Sequence, residues 1–404
     1  MASKRGVNVL SKAVYIVAAK RTPCGAFGGS FKDLTATQLA TVATKDALAS
    51  GNVDPSLIDT IHVGNVQQTS TDASYMARHI GLHAGCNIET PALTLNRLCG
   101  SGFEAVAQAA RDIVLGEAGV SLAGGAENMS QAPYAVRNIR FGTKLGTSPQ
   151  MEDTLWAGLT DQYCNTPMGV TAENLAEDYA ITRDDCDAFA LRSQQLWGKA
   201  HEAGIFSREM APVEVQKRRK TVVVDTDEHP RPETRLEDLA KLPTVFKKSG
   251  VVTAGGSSGI CDGGAALILA DEDSVKAHGL TPLARVVGYS TAGVPPTHMG
   301  IGPVPATEKL LAAAGRTIAD VDQVEINEAF GAQCLAVAKA LNIDHSKLNI
   351  HGGAIAIGHP LGMSGARILT HLAHCLANDD NTKLALGTAC IGGGQGIAVL
   401  LEKA

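Results

Sequence analysis

The chain has 404 residues, enough for two or more core-sized units. With 45% apolar and 19% charged residues it reads as globular, and a net charge of −6 leaves no general footprint for nucleic acid. Nine widely spaced cysteines, an odd number without a CxxC pair, argue against a disulfide framework and for a reducing compartment.

The first 32 residues hold Lys4, Arg5, Lys12, Lys20, Arg21 and Lys32, with no acid before Asp33. That bias suits a mitochondrial presequence, and equally a basic terminus leading into a strand at Ala13–Ala19. Ile61–Val66 reads as a second strand. His79, His83 and Cys86 have tolerable zinc spacing, but no fourth ligand is evident and no metal is expected. Phe103 to Leu115 places Phe103, Val106, Ala107, Ala110, Ile113 and Val114 at helical spacing. Immediately before it stands "NRLCGSG", Asn96–Gly102. A thiol at a helix start feels the positive end of the dipole, which favours thiolate. Gly100 and Gly102 let a substrate and neighbouring backbone come close. Cys99 is therefore either a nucleophile or a small buried thiol.

From about 128 to 251 the chain is rich in charge, proline and turns, as in "DEHPRPET" (Asp227–Thr234). It reads as a surface subdomain, a lid or substrate platform. The basic run Lys217–Lys220 is a solvated strand edge or an attractor for an anion. Val324–Ile326 is a strand. Asn327 follows it, at a strand end where α/β sheets carry sites, or as a helix cap. "GGAIAIGHPLGMSG" (Gly352–Gly365) sets His359 in a glycine-walled loop before another helix, on which His371 and His374 pack or face solvent. "GTACIGGGQG" (Gly387–Gly396) puts Cys390 in a turn whose glycines expose it. Leu384–Leu401 is uncharged, but Gly392–Gly394 and Gln395 favour strand, turn, strand over a membrane span.

The chain also repeats itself. "LCGSG" (Leu98–Gly102) matches "LGMSG" (Leu361–Gly365), 263 positions later. At the same offset Ile58–Asn65 overlies Val321–Glu328, and Leu122–Glu127 overlies Ala385–Cys390. Alternating strands and helices predict two α/β units with a largely parallel sheet, and the segment 128–251 inserted in the first. A pseudo-twofold axis would turn the Cys99 and His359 corners to one cleft, where His359 could take the thiol proton.

"NRLCGSG", "NEAF" (Asn327–Phe330), "GGAIAIGHPLGMSG" and "CIGGGQG" (Cys390–Gly396), in this order, resemble the signatures of the thiolase family. The likeness runs over essentially the whole chain. It implies the thiolase fold: two pseudo-twofold-related βαβαβαββ halves in an α/β/α/β/α layering with an inserted loop domain. The halves would be 1–127 plus 252–280 and 281–404, with the loop domain at 128–251. It implies that Cys99 carries the acyl group and His359 activates it. Cys390 would be the acid/base at the substrate α-carbon. Asn327 would hold a water beside His359, and the N–H groups of Cys99 and Gly392 would form an oxyanion hole. Arg231, Thr234 and Ser258 would bind coenzyme A, and Met168 and Met299 would line the acyl and pantetheine pocket. Acyl-CoA, acetyl-CoA and CoA are then the small-molecule partners, CoA as substrate with no cofactor held permanently, and the chain forms a dimer or tetramer.

"APYAVRNIRFGTKLG" (Ala132–Gly146) is most similar to degradative mitochondrial members of the family. Pro167 replaces the histidine usual in acetoacetyl-type members. The expected activity is thiolysis of 3-oxoacyl-CoA in β-oxidation, in the mitochondrial matrix or alternatively the cytoplasm. An acetoacetyl-CoA thiolase, or a non-catalytic acyl-CoA-binding protein of this fold, are the alternatives.

Overall fold

A computed structural model describes residues 6–404; Lys4 and Arg5 of the basic leader lie outside the described residues. The first half contains β1 (Val14–Arg21), α1 (Ala36–Ser50), β2 (Thr60–Gly64), β3 (Ala92–Leu95), α2 (Ser101–Leu115) and β4 (Val120–Asn128). The chain then leaves the sheet. This excursion carries α3 (Met168–Asp178), α4 (Arg183–Glu202) and a hairpin of Val213–Lys217 with Lys220–Val224. It returns at β5 (Cys261–Asp271). The second half holds β6 (Ala284–Gly293), α5 (Pro303–Ala314), β7 (Gln323–Ile326), α6 (Gly331–Leu341), α7 (Leu361–Asn378), β8 (Leu384–Ile391) and β9 (Gln395–Glu402).

Local signals explain the element ends. Thr35 caps α1 through a reciprocal box with Gln38, which satisfies two amides that a helix start leaves free. Helix α2 stops at Gly116, whose φ of 79° is open to glycine. The basic run falls on the hairpin tip, where Lys217 pairs with Lys220 and Arg218 turns with φ 58°.

The strands lie in the order β7-β8-β9-β6-β1-β5-β4-β2-β3, so the second half mirrors the first about the β6–β1 seam. The sheet is not largely parallel. Only β7–β8, β4–β2 and β2–β3 are parallel; the strands nearer the seam pair antiparallel. Hairpin-like returns such as β8 to β9 force this, because a three-residue turn cannot make a parallel crossover. The uncharged stretch Leu384–Leu401 is that hairpin. Among the described residues no helix is long and apolar enough to cross a membrane.

Alternation along each strand feeds three apolar layers. Leu267 and Leu269 of β5 face a central core with Phe103 and Val106 of α2 and Ile368 and Leu369 of α7. Ala266 and Ile268 point the other way, against α1 residues Ala40, Ala43 and Ala47. Leu386 and Leu400 do the same in the second half, against Leu310 of α5 and Val337 of α6. The layering is therefore helix, sheet, helix pair, sheet, helix.

The ladders correct the repeat register. Thr60 pairs Ser121 and Gln323 pairs Ala385. Thr60 and Gln323 are 263 positions apart, whereas Ser121 and Ala385 are 264 apart. The match of Leu122–Glu127 to Ala385–Cys390 is thus one residue out: Leu122 faces the outer core and Ala385 the central one. A one-residue slip reverses every side chain. Around the helix starts the 263 spacing holds, and Gly102 of α2 meets Gly365 of α7 backbone to backbone.

Candidate active site

The corner before α2 is tightly wound. Leu98 N–H donates to Asn96 Oδ1 at 2.8 Å, and Arg97 N–H to Ser101 Oγ at 2.8 Å. Leu98 is held at φ 47°, the left-handed region, which costs an L-residue about 1–2 kcal/mol. The turn presents Cys99 at the wall of a cleft, with the N–H groups of Gly392 and of Cys99 itself directed at the sulfur. Burial nevertheless pushes the thiol up to about 11, against those two hydrogen bonds. The expected helix-end thiolate is not the resting state. Desolvation outweighs the donors, and the helix proper begins only at Ser101.

His359 sits in the loop entering α7, 6% exposed. Its Nδ1 lies 2.5 Å from Ser364 Oγ, and that hydroxyl donates to the Pro360 carbonyl oxygen at 2.9 Å. With its single proton so engaged, Ser364 can only accept from the ring. Nδ1 therefore carries the hydrogen, and Nε2 keeps its lone pair. Asn327 Nδ2 stands 3.3 Å from that Nε2. Burial, and then the Arg367 charge, lower the His359 pKa to about 3, so the ring is a neutral acceptor across the physiological range. Asn327 Oδ1 is buried with no protein partner among the described residues.

Cys390, next to last in β8, is fully buried, not exposed by its glycines. Those glycines form the following turn, with Gly393 and Gly394 at φ 78° and 83°, while Cys390 packs against Met299 and Ala329. Burial, and the neighbouring Cys99, drive its pKa upward, so it is a protonated thiol able to donate. A Cβ on Gly392 would stand 3.2 Å from Leu98 Cδ1, which places this turn against the Cys99 corner.

The cleft holds about 260 Å³. Cys99, His359, Met168, Met299 and Ser258 line it, with Trp156, Pro167, Phe246, Phe330 and Leu361 making the rest largely apolar. Cys390 packs directly on the wall residues Met299 and Ala329. Arg231 and Thr234 line an adjoining cavity of about 340 Å³ that shares Ala254 and Ser257 with the first. Arg231 Nη1 donates to the carbonyls of Glu228, His229 and Pro230, which folds the guanidinium onto its own loop.

Two functional residues escaped sequence reasoning. Ser364, five residues past His359, was marked in the sequence only as the repeat counterpart of Ser101, which says nothing of an imidazole partner. Glu127 could have been noticed as an acid closing an apolar strand. It is fully buried, and its carboxylate accepts from Val66, Gln67 and Gly362 N–H groups and from Asn65 Nδ2. Asn96, beside Cys99, bonds the Val66 carbonyl oxygen, so Glu127 ties the Cys99 corner to the start of α7. Burial raises its pKa to about 7. The His79, His83 and Cys86 spacing, set aside as a zinc site in the sequence, places His79 stacked on Tyr75 and 3.8 Å from Asp72, and these three residues form no ligand cluster among the described residues.

A duplicated layered α/β fold, with two thiols, an imidazole and a carboxamide gathered where its halves meet, defines a protein of the thiolase-fold class. Residues 14–273 match the model for the thiolase N-terminal domain and residues 280–403 that for the thiolase C-terminal domain. The chain belongs to the thiolase family. It is 57% identical to the mitochondrial 3-ketoacyl-CoA thiolase of Mus musculus over 393 residues, covering 97% of this chain and 99% of that one. The crystal structure of human mitochondrial 3-ketoacyl-CoA thiolase superposes with a TM-score of 0.96 at 55% identity, over 98% of this chain and 100% of the other. The human enzyme in complex with CoA superposes equally well, with a TM-score of 0.96, 55% identity and coverage of 99% and 100%.

Proposed function

We propose that this protein is an acetyl-CoA acyltransferase that cleaves 3-oxoacyl-CoA with CoA in fatty-acid β-oxidation. The observation that carries the reading is the placement of Cys99 and a neutral His359 on one apolar cleft, with the protonated Cys390 against its wall. His359 Nε2 takes the Cys99 proton as the sulfur attacks the 3-keto carbon. The C2–C3 bond breaks, Cys390 protonates the departing acetyl-CoA enolate, and the acyl group stays on Cys99. The CoA thiol then attacks this thioester and gives its proton to the Cys390 thiolate; acyl-CoA leaves, and the departing Cys99 thiolate recovers its proton from the His359 imidazolium.

Two oxygens gain charge in turn, so two donor sites are needed. The N–H groups of Cys99 and Gly392 serve the tetrahedral intermediates. His359, with a water held by Asn327, serves the enolate. Coenzyme A runs from the cleft past Ser258 to Arg231 and Thr234, with Met168 and Met299 beside its pantetheine and the acyl chain; the adjoining of the two cavities supports this path. CoA is substrate, and no permanent cofactor enters the chemistry. The names of the relatives support the mitochondrial matrix, while Lys20 and Arg21 of the basic segment belong to strand β1 of the fold; the family likeness supports a dimer or tetramer.

Pro167 in the wall, where acetoacetyl-type members carry histidine, supports substrates longer than acetoacetyl-CoA. The test is kcat/KM for thiolysis of C4, C6, C8 and C10 3-oxoacyl-CoA at one CoA concentration. Each buried methylene contributes up to about 0.8 kcal/mol, nearly fourfold. The expected profile rises beyond C4 to a medium-length maximum; a steep fall from C4 to C6 would assign an acetoacetyl-CoA thiolase instead.

A further inference from the structure

A second side-chain cluster lies outside the cleft, at the far end of α7. We propose that His351, His371 and Cys375 form a site for a soft divalent cation, zinc being the ion they fit. Among the described residues they are the one group of three possible ligands whose donor atoms all lie within 4.8 Å of one another. His371 and Cys375 stand one turn apart on α7, hence on one face. His351 arrives from the loop between α6 and α7. A cavity of about 260 Å³ opens beside them, bordered also by Glu209, His374 and Asp379.

The spacing suits the ion. His351 Nδ1 and His371 Nε2 are 2.9 Å apart, and Cys375 Sγ is 3.5 Å from His371 Nε2 and 3.9 Å from His351 Nδ1. Tetrahedral zinc, with bonds of about 2.05 Å to nitrogen and 2.3 Å to sulfur, asks for edges of about 3.3 Å and 3.6 Å. Shifts of a few tenths of an ångström meet this. The ligand set of two imidazoles and a thiolate selects zinc-like ions over magnesium or calcium.

The surrounding hydrogen bonds point the same way. His371 Nδ1 lies 2.7 Å from Glu209 Oε2, and Arg21 Nε donates to Glu209 Oε1 at 2.6 Å. The Arg21 pair holds Glu209 as a carboxylate, so His371 must donate from Nδ1. Its Nε2 then faces His351 Nδ1 across a gap that holds a single proton or a metal. A buried carboxylate behind an imidazole is the outer support that metal-binding histidines use. His374 is not a ligand, because its Nε2 bonds the Ala19 carbonyl oxygen. Binding displaces the Cys375 thiol proton, and the proton between the rings leaves that gap, to solvent or to His351 Nε2, so that each imidazole ligates through a lone pair. The fourth coordination position opens to the cavity and takes water.

The test uses the full chain, stripped with a chelator and equilibrated with zinc at micromolar free concentration. Wild type should retain one zinc per chain. Cys375→Ser and His351→Ala should each bind at least about 100-fold more weakly, since even outer-layer changes cost 10–100-fold. Cobalt(II) reports the ligands independently of turnover. A thiolate-to-cobalt absorption band should appear in wild type, persist in Cys99→Ala and vanish in Cys375→Ser. No zinc on wild type, or zinc equally tight in both variants, overturns the proposal. So does a cobalt band that survives Cys375→Ser and vanishes in Cys99→Ala, which would put the ion in the catalytic cleft.

Discussion

Gly102 and Gly365 touch where the two central helices begin. A Cβ on Gly102 would come within 2.3 Å of the Ala366 nitrogen, and one on Gly365 within 2.3 Å of the Phe103 nitrogen. The contact is reciprocal because the residues are equivalent in the two halves, so the pseudo-twofold axis passes between them. The corners bearing Cys99 and His359 flank that point. Replacing Gly102 with alanine must push backbone apart. Overpacking of this kind costs typically about 1–3 kcal/mol. Thermal unfolding of Gly102→Ala should fall accordingly, with thiolysis reduced beyond what the lost folded fraction explains. A variant with wild-type melting and turnover would show that the helices do not need this contact.

Cys99, half-buried at the cleft wall, should behave as a protonated thiol in the free enzyme. Burial sets its pKa near 11, above the ordinary 9, so the thiolate fraction grows tenfold for each pH unit below that value. The rate of alkylation by iodoacetamide, followed by mass spectrometry on the Cys99 peptide, should still be climbing past pH 9. A plateau near neutrality would mean a resting thiolate beside His359, and the desolvation argument would fail. Incubation with acyl-CoA should place the acyl mass on this same peptide; label on Cys390, with Cys99→Ser still active, would reverse the two roles.

Ser364 acts on the reaction through His359. In Ser364→Ala the buried Nδ1–H loses its acceptor and the ring loses the bond that selects its tautomer. An unsatisfied buried donor costs about 1–3 kcal/mol, which is roughly 5- to 150-fold in rate. The loss should fall on kcat, while KM for CoA stays near wild type because Ser364 does not line the cleft. Unchanged kcat would show that His359 is oriented by Asn327 alone.

Cys390 is the proposed proton donor to carbon. Its alanine variant should exchange the methyl protons of acetyl-CoA with deuterated water about 10²–10⁴-fold more slowly, the usual worth of a positioned acid or base. Exchange at the wild-type rate, read by NMR, would remove Cys390 from that step.

Much of the local structure was legible in the sequence because it is set by near neighbours. The 3.6-residue spacing from Phe103 to Leu115 is α2, and the glycines and Gln395 inside Leu384–Leu401 mark the turn between β8 and β9. The ordered motifs around Cys99, Asn327, His359 and Cys390 carried the family, since each is a short contiguous string. Other properties belong to contacts between distant segments and only the tertiary structure decided them. The one-residue change of repeat register at β4 and β8 is invisible in a string, yet the ladders fix it because a slip would turn Leu122 or Ala385 to the wrong core. Whether Cys99 rests as thiol or thiolate depends on a balance between desolvation and two amides, one of them on Gly392, 293 positions away. Glycines beside Cys390 promised exposure, but Met299 and Ala329 close over it. His351 stands twenty residues before His371 with no spacing motif to join them; the packing of a loop onto α7 brings their nitrogens to 2.9 Å. Sequence determines which groups are available and their local geometry, while burial and long-range proximity, which set their chemistry, exist only once the chain has packed.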